Sequence, residues 1–496
     1  MLIVLSSAVL VRVPFLAEPF ECDQANYAYV AQHWGEGLTP YRYSWDNKPP
    51  LIYIWYRFIA AFLGDSQRGT HLGFIFLAVG ATLFFYALSR RLFSRGFALL
   101  SALVYGVFSA GALISGTFAI PENLAAFFII AGFYYFWNGC EREKNIPFLI
   151  SGIFLGFALM SKQAAFWELA ALSGFFVLTG LRSTTFLLVG WRLILFWSGA
   201  AAVIIFFIIL FVILQAAAEF FSSVFIYNLF FGRIVGFRQG LINFFQALLW
   251  SPRENFLLWI FAFAGLIIAV LKREKKTLLF ILWFIAAVLG IVCVFQFYPH
   301  FFIQAIPILA LLTIYFLQTV WNTPGISRKV ISLVLLTVMG LYFCMVQWRW
   351  WFSYSPLDSL INRRGALARP QLYRQTQDVA TYIKANSAPE DLVYVWGLWP
   401  EVYYYSKRKS PSKYFYISSR ATLTGKFKEV VQTQVYYDII RNPPKYIIID
   451  EQFADLISVA LQRYINGGYA LVKTGADYRI LRIKDTVEGD GKGVDR

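Results

Sequence analysis

The chain carries an acidic, aromatic segment, Glu21-Cys22-Asp23-Gln24-Ala25-Asn26-Tyr27, and a Trp45-Asp46-Asn47-Lys48-Pro49-Pro50 segment between its first two long apolar runs. A carboxylate held in a dry crevice gains basicity and can take a proton from a hydroxyl. A lysine before a helix that two prolines open combines a point charge with the positive end of a helix dipole, a combination that binds phosphate. Asp23 and Lys48 are therefore the first candidates for chemistry, with Glu21, Tyr27 and Asp46 beside them. Each has a plainer reading as well. Asp23 stands before Asn26 as a helix N-cap would, and a lone lysine at a membrane surface commonly snorkels to the headgroups.

Three further interruptions of apolar sequence hold charged or titratable groups: Pro121-Glu122-Asn123, Met160-Ser161-Lys162-Gln163 and Pro299-His300. Glu122 is either a partner of its helix dipole, worth about 0.3 to 1 kcal/mol, or a second carboxylate converging on the same cavity as Asp23, with Asn123 supporting it. Lys162 and His300 can add positive potential and hydrogen bonds beside a phosphate, or can serve the water interface alone. Glu168 lies deeper, inside an apolar run where a carboxyl is costly unless protonated or paired, and the sequence names no partner for it. No phosphate-binding GxxxxGK loop, GxGxxG turn, HExxH motif or Cys/His zinc spacing occurs. No cofactor is required; a divalent metal is compatible with the carboxylates, but no ligand spacing demands one.

The elements that must position these groups are membrane helices. Apolar residues make up 58% of the chain and charged ones 15%, against about a quarter charged in a soluble domain; mean hydropathy is +0.57. About eleven apolar runs approach the length that a bilayer core demands: Leu2 to Phe15, Leu72 to Leu88, Ala98 to Ile114, Leu124 to Trp137, Pro147 to Met160, Ala164 to Leu178, Leu193 to Leu214, Phe256 to Leu271, Leu278 to Phe295, Phe301 to Leu317 and Val330 to Val346. A further apolar helix is expected over Leu51 to Leu63, behind the prolines. If the first span runs outward, the inner loops collect Arg90, Arg91, Arg95, Arg142, Lys144, Arg182, Arg192, Lys272, Arg273, Lys275, Lys276, Arg328 and Lys329, as cytoplasmic loops do. Only Glu141, Glu143 and Glu274 oppose them. On this orientation Asp23, Lys48, Glu122, Lys162, His300 and the C-terminal region all face the outer side.

The net charge of +16 is thus largely a topology signal and calls for no nucleic acid. The first span lacks a charged leader and a small-residue cleavage site near Phe15, so it is expected to be retained, with a few residues preceding its abrupt start. Only Cys22 lies outside, so no intramolecular disulfide is expected. The Asp23 segment itself reads as an interfacial helix with Tyr27, Val30 and Ala31 on one side.

From about residue 363 the texture changes. Gln371 to Asn386 has helical spacing, Leu392 to Trp396 reads as a strand, Phe427 to Arg441 as a helix, and Lys445 to Asp450 as a buried strand before a helix through Arg463. The expected organisation is a transmembrane domain over 1–350 with its first outer loop at 16–71, a small α/β domain over 363–485, and a disordered tail over 486–496.

The order Asp23-x-x-x-Tyr27-Ala-Tyr-Val-Ala-Gln, then Trp45-Asp-Asn-Lys-Pro-Pro-Leu-Ile-Tyr, then a Pro-Glu turn and Met-Ser-Lys-Gln resembles the GT-C glycosyltransferases related to aminoarabinose transferase and the protein O-mannosyltransferases. The resemblance spans the whole membrane part. It implies a polytopic α-helical GT-C fold whose small α/β domain is extracytoplasmic. It also implies that Asp23 is the catalytic residue of the first outer loop, that Lys48 binds the lipid phosphate, and that Glu122 supports the acceptor side. Many relatives have an Asp-Glu pair where this chain has Asp23-Gln24, and Glu21 is the residue placed to compensate.

The expected activity is transfer of a sugar from a polyprenyl-phosphate donor to a lipid, glycan or protein acceptor, in the plasma membrane and on its extracytoplasmic face. A lipid-linked sugar transporter or flippase is the rival, for which internal repeats and mid-bilayer charges are expected.

Overall fold

The computed structural model describes residues 1–180, 186–229, 235–250, 253–364, 370–417 and 426–484. Arg182 and the tail 486–496 lie outside the described residues. The chain divides into two compact units that are interleaved in sequence: Met1–Phe20 with Asp46–Ala368, and Glu21–Trp45 with Arg369–Arg496.

The first unit is a helical bundle. Every expected span coincides with a helix, with shifts at the ends. Leu2–Leu10 stops early and passes through a turn into a short 3-10 segment, Val13–Phe15. The longer run Ala98 to Ile114 is helical only over Arg95–Phe108. Among the described residues five helices are long and apolar enough to cross a membrane: Gln67–Leu92, Leu187–Ile213, Lys275–Val292, Pro299–Asn322 and Ile326–Ser353.

Helices 121–142 and 146–159 form a hairpin, and helix 146–159 also packs against 186–213. That second contact is very close. A Cβ on Gly152 would stand 1.8 Å from the Phe196 carbonyl oxygen, and one on Gly199 would stand 2.2 Å from that of Leu149. Small residues let two backbones touch in this way, which is how helices gain packing where lipid supplies no hydrophobic drive. The helices Ala217–Phe221, Phe237–Trp250 and Pro356–Arg364 were not expected from the sequence.

The second unit is built on four strands, β1 (Val393–Trp396), β2 (Tyr446–Asp450), β3 (Tyr469–Thr474) and β4 (Tyr478–Ile483). Their order is β1-β2-β4-β3. β1 and β2 are parallel, with Val395 opposite Ile448, while β4 runs antiparallel to β2, with Ile448 opposite Ile480. Both parallel strands are buried throughout, as expected of strands covered on two faces. The helices Pro370–Asn386 and Lys426–Arg441 fall where the sequence places them, while the helix expected through Arg463 is preceded by a 3-10 segment, Glu451–Leu456, and spans Val459–Gly468. The β3–β4 hairpin was not anticipated, although Gly475-Ala476-Asp477 between two β-rich runs is a hairpin signal.

The Asp23 segment forms a helix, Cys22–Gly35, but it is not the one-faced interfacial helix that its pattern suggests. Tyr27, Val30 and Ala31 are buried, and so are Asn26, Tyr29 and His33. Tyr29 packs on Phe415 at 4.4 Å and on Tyr403 at 5.1 Å, and its hydroxyl accepts from the Ser410 amide at 3.0 Å. The Asn26 amide donates to the Tyr416 hydroxyl at 3.1 Å. These contacts cover a second face of the helix with the aromatic residues of segment 403–416.

Candidate active site

The turn 46–50 is fixed by its own polar side chains. Asp46 is buried and accepts from the Tyr53 hydroxyl at 2.7 Å and from the Asn47 amide at 2.6 Å. The Lys48 ammonium donates to the Asn47 side-chain oxygen at 3.0 Å. The Asn47 carbonyl in turn accepts from Asn228 at 2.8 Å and from Gln163 at 3.1 Å. Helix Leu51–Leu63 follows the two prolines as expected. Its first backbone donor is not open to a ligand, however, because the Leu51 amide bonds the Met160 carbonyl at 3.1 Å. That bond and the Gln163 contact join the lysine turn at 48 to the lysine turn at 162.

Glu122, Lys162 and His300 meet. Glu122 is the second residue of helix Pro121–Arg142, which begins on proline without a capping side chain. Lys162 lies just past the C-terminus of helix Ile146–Leu159, so the hairpin brings both to one end. The Lys162 ammonium donates to the Glu122 carboxylate in a tight ion pair. His300 Nε2 stands 3.5 Å from the same oxygen, Glu122 Oε1. The ammonium also lies 4.3 Å from the centre of the Phe301 ring, a cation–π contact. All three polar side chains are largely shielded, with 5% of Glu122, 14% of Lys162 and 17% of His300 exposed.

Burial alone would push the Glu122 carboxyl up. The charges of Lys162 and, to a lesser degree, His300 and Lys48 outweigh it and hold the group well below the usual carboxylate range. Burial pulls the Lys162 ammonium down, with Glu122 opposing. The pair is therefore an ionised carboxylate among three basic groups, since Lys48 is near enough to act on both of its members.

The Asn123 amide donates to the Phe118 carbonyl at 2.8 Å and to that of Ser115 at 3.5 Å, which ties down the loop before its own helix. Glu21, Asp23 and Tyr27 belong to the other compact unit. There Glu21, not Asp23, is the N-cap of helix Cys22–Gly35. Its side chain accepts from the Gln24 amide at 3.2 Å, and the Gln24 side chain accepts from the Glu21 amide at 3.5 Å. Such a reciprocal capping box gives Gln24 a structural reason for its place, and it leaves Asp23 in the first turn, half-buried, without the cap duty that its spacing to Asn26 suggests.

Sequence reasoning missed Asn228, Gln163 and Gln304, whose carboxamides act through tertiary contacts. Gln163 alone carried a signal, from its place in the Met160-Ser161-Lys162-Gln163 turn. Glu168 finds its partner in Gln304, whose amide lies 2.6 and 2.8 Å from its two oxygens. Among the described residues no group of three or more His, Cys, Asp or Glu could hold a metal ion. Glu122 is already engaged by Lys162 and His300.

Comparison with known proteins agrees with this architecture. A family model described as dolichyl-phosphate-mannose-protein mannosyltransferase matches residues 47–212, the stretch that carries Lys48, Glu122 and Lys162. The fold is similar to that of ArnT from Cupriavidus metallidurans in the apo state, with a TM-score of 0.62 at 13% identity over 97% of each chain. Against the same protein bound to undecaprenyl phosphate the TM-score is 0.60 at 13% identity over 99% of each chain. The oligosaccharyltransferase of Archaeoglobus fulgidus, tethered with an acceptor peptide, is also similar, with a TM-score of 0.61 at 13% identity over 98% of this chain and 74% of that one. That enzyme has been solved with zinc and sulfate as well.

Proposed function

We propose that the chain is a GT-C membrane glycosyltransferase related to aminoarabinose transferase and the protein O-mannosyltransferases, and that it moves a sugar from a polyprenyl-phosphate carrier to an acceptor hydroxyl. Transfer occurs in one inverting displacement on the extracytoplasmic face of the plasma membrane. The observation that carries this reading is the shielded Lys162–Glu122–His300 cluster with the Lys48 charge close by. A basic cluster of this kind suits an anionic phosphate better than it suits a neutral ligand.

In the proposed reaction Lys48, Lys162 and His300 hold the phosphodiester and stabilise the charge that grows on the departing phosphate. Glu122 holds Lys162 and His300 in place. Asp23, assigned by the family resemblance, takes the proton of the acceptor hydroxyl as the new bond from that oxygen to the anomeric carbon forms and the bond to the phosphate oxygen breaks. Polyprenyl phosphate is a good leaving group, so no general acid is needed, and no step is routed through a metal. A transporter is disfavoured because the charged candidates gather at helix ends rather than in mid-span.

The test uses the purified protein with undecaprenyl-phosphate sugars and lipid, glycan and peptide acceptors. Asp23→Asn is expected to lower turnover by about 10² to 10⁴-fold with polyprenyl-phosphate affinity preserved, whereas Lys48→Ala should weaken that affinity. Full turnover by Asp23→Asn rejects its role as base, and unaltered affinity in Lys48→Ala removes the lysine from the phosphate site.

A further inference from the structure

Glu168 is fully buried in helix Phe166–Gly180, and Gln304 is nearly so in the 3-10 segment Pro299–Ala305. The Gln304 amide reaches both carboxyl oxygens of Glu168, at 2.6 and 2.8 Å, and approaches the Ala164 carbonyl at 3.5 Å. No basic side chain bonds Glu168 among the described residues. A polar pair in such surroundings is expensive to form and expensive to break, because each member left alone is a buried group without a partner. Its location gives it a consequence. Gln304 follows His300 by four residues, and Glu168 follows Lys162 by six, with Ala164 between them. The pair therefore joins the two segments that deliver Lys162 and His300 to Glu122. Gly290 leaves the room for it, since a Cβ there would stand 2.6 Å from the Gln304 side-chain nitrogen.

We infer that the Glu168–Gln304 hydrogen-bonded pair is a positioning device that sets the spacing of Lys162 and His300 and thereby the phosphate affinity of the cluster; this rests on the donor-binding reading given above. Neither residue touches substrate. Leucine in place of Gln304 would fill the space yet strand the Glu168 carboxyl, which would be drawn toward Lys162, the nearest lysine in sequence. The exchanged pair, Glu168→Gln with Gln304→Glu, would rebuild the same bond in reverse.

Two measurements test the inference on full-length protein in detergent: the rate at which an amine reagent labels Lys162, read by peptide mass spectrometry, and the Kd for undecaprenyl phosphate. Gln304→Leu is expected to change Lys162 labelling severalfold and to weaken lipid-phosphate binding by about tenfold or more, the scale of a misplacement near one ångström. The exchanged pair should return both toward wild type. Gly290→Ala, which presses on the Gln304 amide without deleting it, should act in the same direction and serves if Gln304→Leu fails to fold. Wild-type labelling and affinity in a folded Gln304→Leu or Gly290→Ala variant overturn the inference, as does an exchanged pair no better than Gln304→Leu. Altered labelling together with no measurable binding by the wild type would instead refute the donor-binding reading and leave the spacing role standing.

Discussion

Glu122 and Asp23 hold the same position in their helices, the second residue of Pro121–Arg142 and of Cys22–Gly35, yet the two helices begin differently. Glu122 has no capping side chain beside it and is gripped by two basic groups brought from residues 162 and 300. Asp23 follows a complete capping box, and its helix is anchored within its own unit by long-range bonds of Asn26 to the Tyr416 hydroxyl and of the Ser410 amide to Tyr29. Place in the helix therefore says little about what a carboxylate can do; what the rest of the chain delivers to it decides.

The contrast breaks most visibly if Glu122 is removed. Glu122→Ala would leave Lys162 and His300 shielded without an anion, and breaking a buried pair on one side costs about 3 to 5 kcal/mol. A large fall in the thermal midpoint of the detergent-solubilised protein is expected, and Glu122→Ala with Lys162→Met should recover most of it while donor binding stays impaired. A single variant as stable as wild type would show that the pair is not tightly held. A smaller effect belongs to the other helix. Glu21→Ala removes one half of the capping box and should cost about 1 kcal/mol, with little change in polyprenyl-phosphate affinity, because its duty is to the helix.

A third effect is one of pH. Burial, assisted by the Lys409 charge and opposed by Glu36, brings His33 down to about 4 from its ordinary 6.5. A group whose folded value lies below its unfolded one stabilises the fold fully above the unfolded value and loses that contribution as pH falls through the window between them. The midpoint should decline by a few degrees between pH 6.5 and 4, and His33→Gln should flatten the decline. An unchanged slope would mean that His33 is not the group responsible.

Much of the fold was legible because membrane helices write themselves as long apolar runs, and each run read from the sequence coincides with a helix. The α/β unit was legible for the opposite reason, since Lys445 to Asp450 is a short apolar burst between helical patterns. The hairpin β3–β4 escaped because Leu471 and Val472 are exposed, so no alternation of buried and polar residues marks the strand. The Glu122–Lys162 pair was within reach: the two residues lie at similar distances on either side of the turn joining helices 121–142 and 146–159, which must bring them to one end. Nothing local foretells Gln304 facing Glu168, or Asn228 on the Asn47 carbonyl, since carboxamides carry no hydropathy signal and their partners are set by helix packing.

The interleaving of the two units has a consequence for how the protein is made. Asn26 bonds Tyr416, a residue 390 positions later, and at about 5 to 20 residues per second a ribosome needs roughly 20 to 80 s to supply it. Throughout that interval the 21–45 segment must wait, already threaded past the first helix, while the remaining membrane helices are inserted one after another. A C-terminal fragment produced alone would emerge lacking the helix that covers Tyr403 and Phe415, and should be sticky until a peptide spanning residues 21–45 is added.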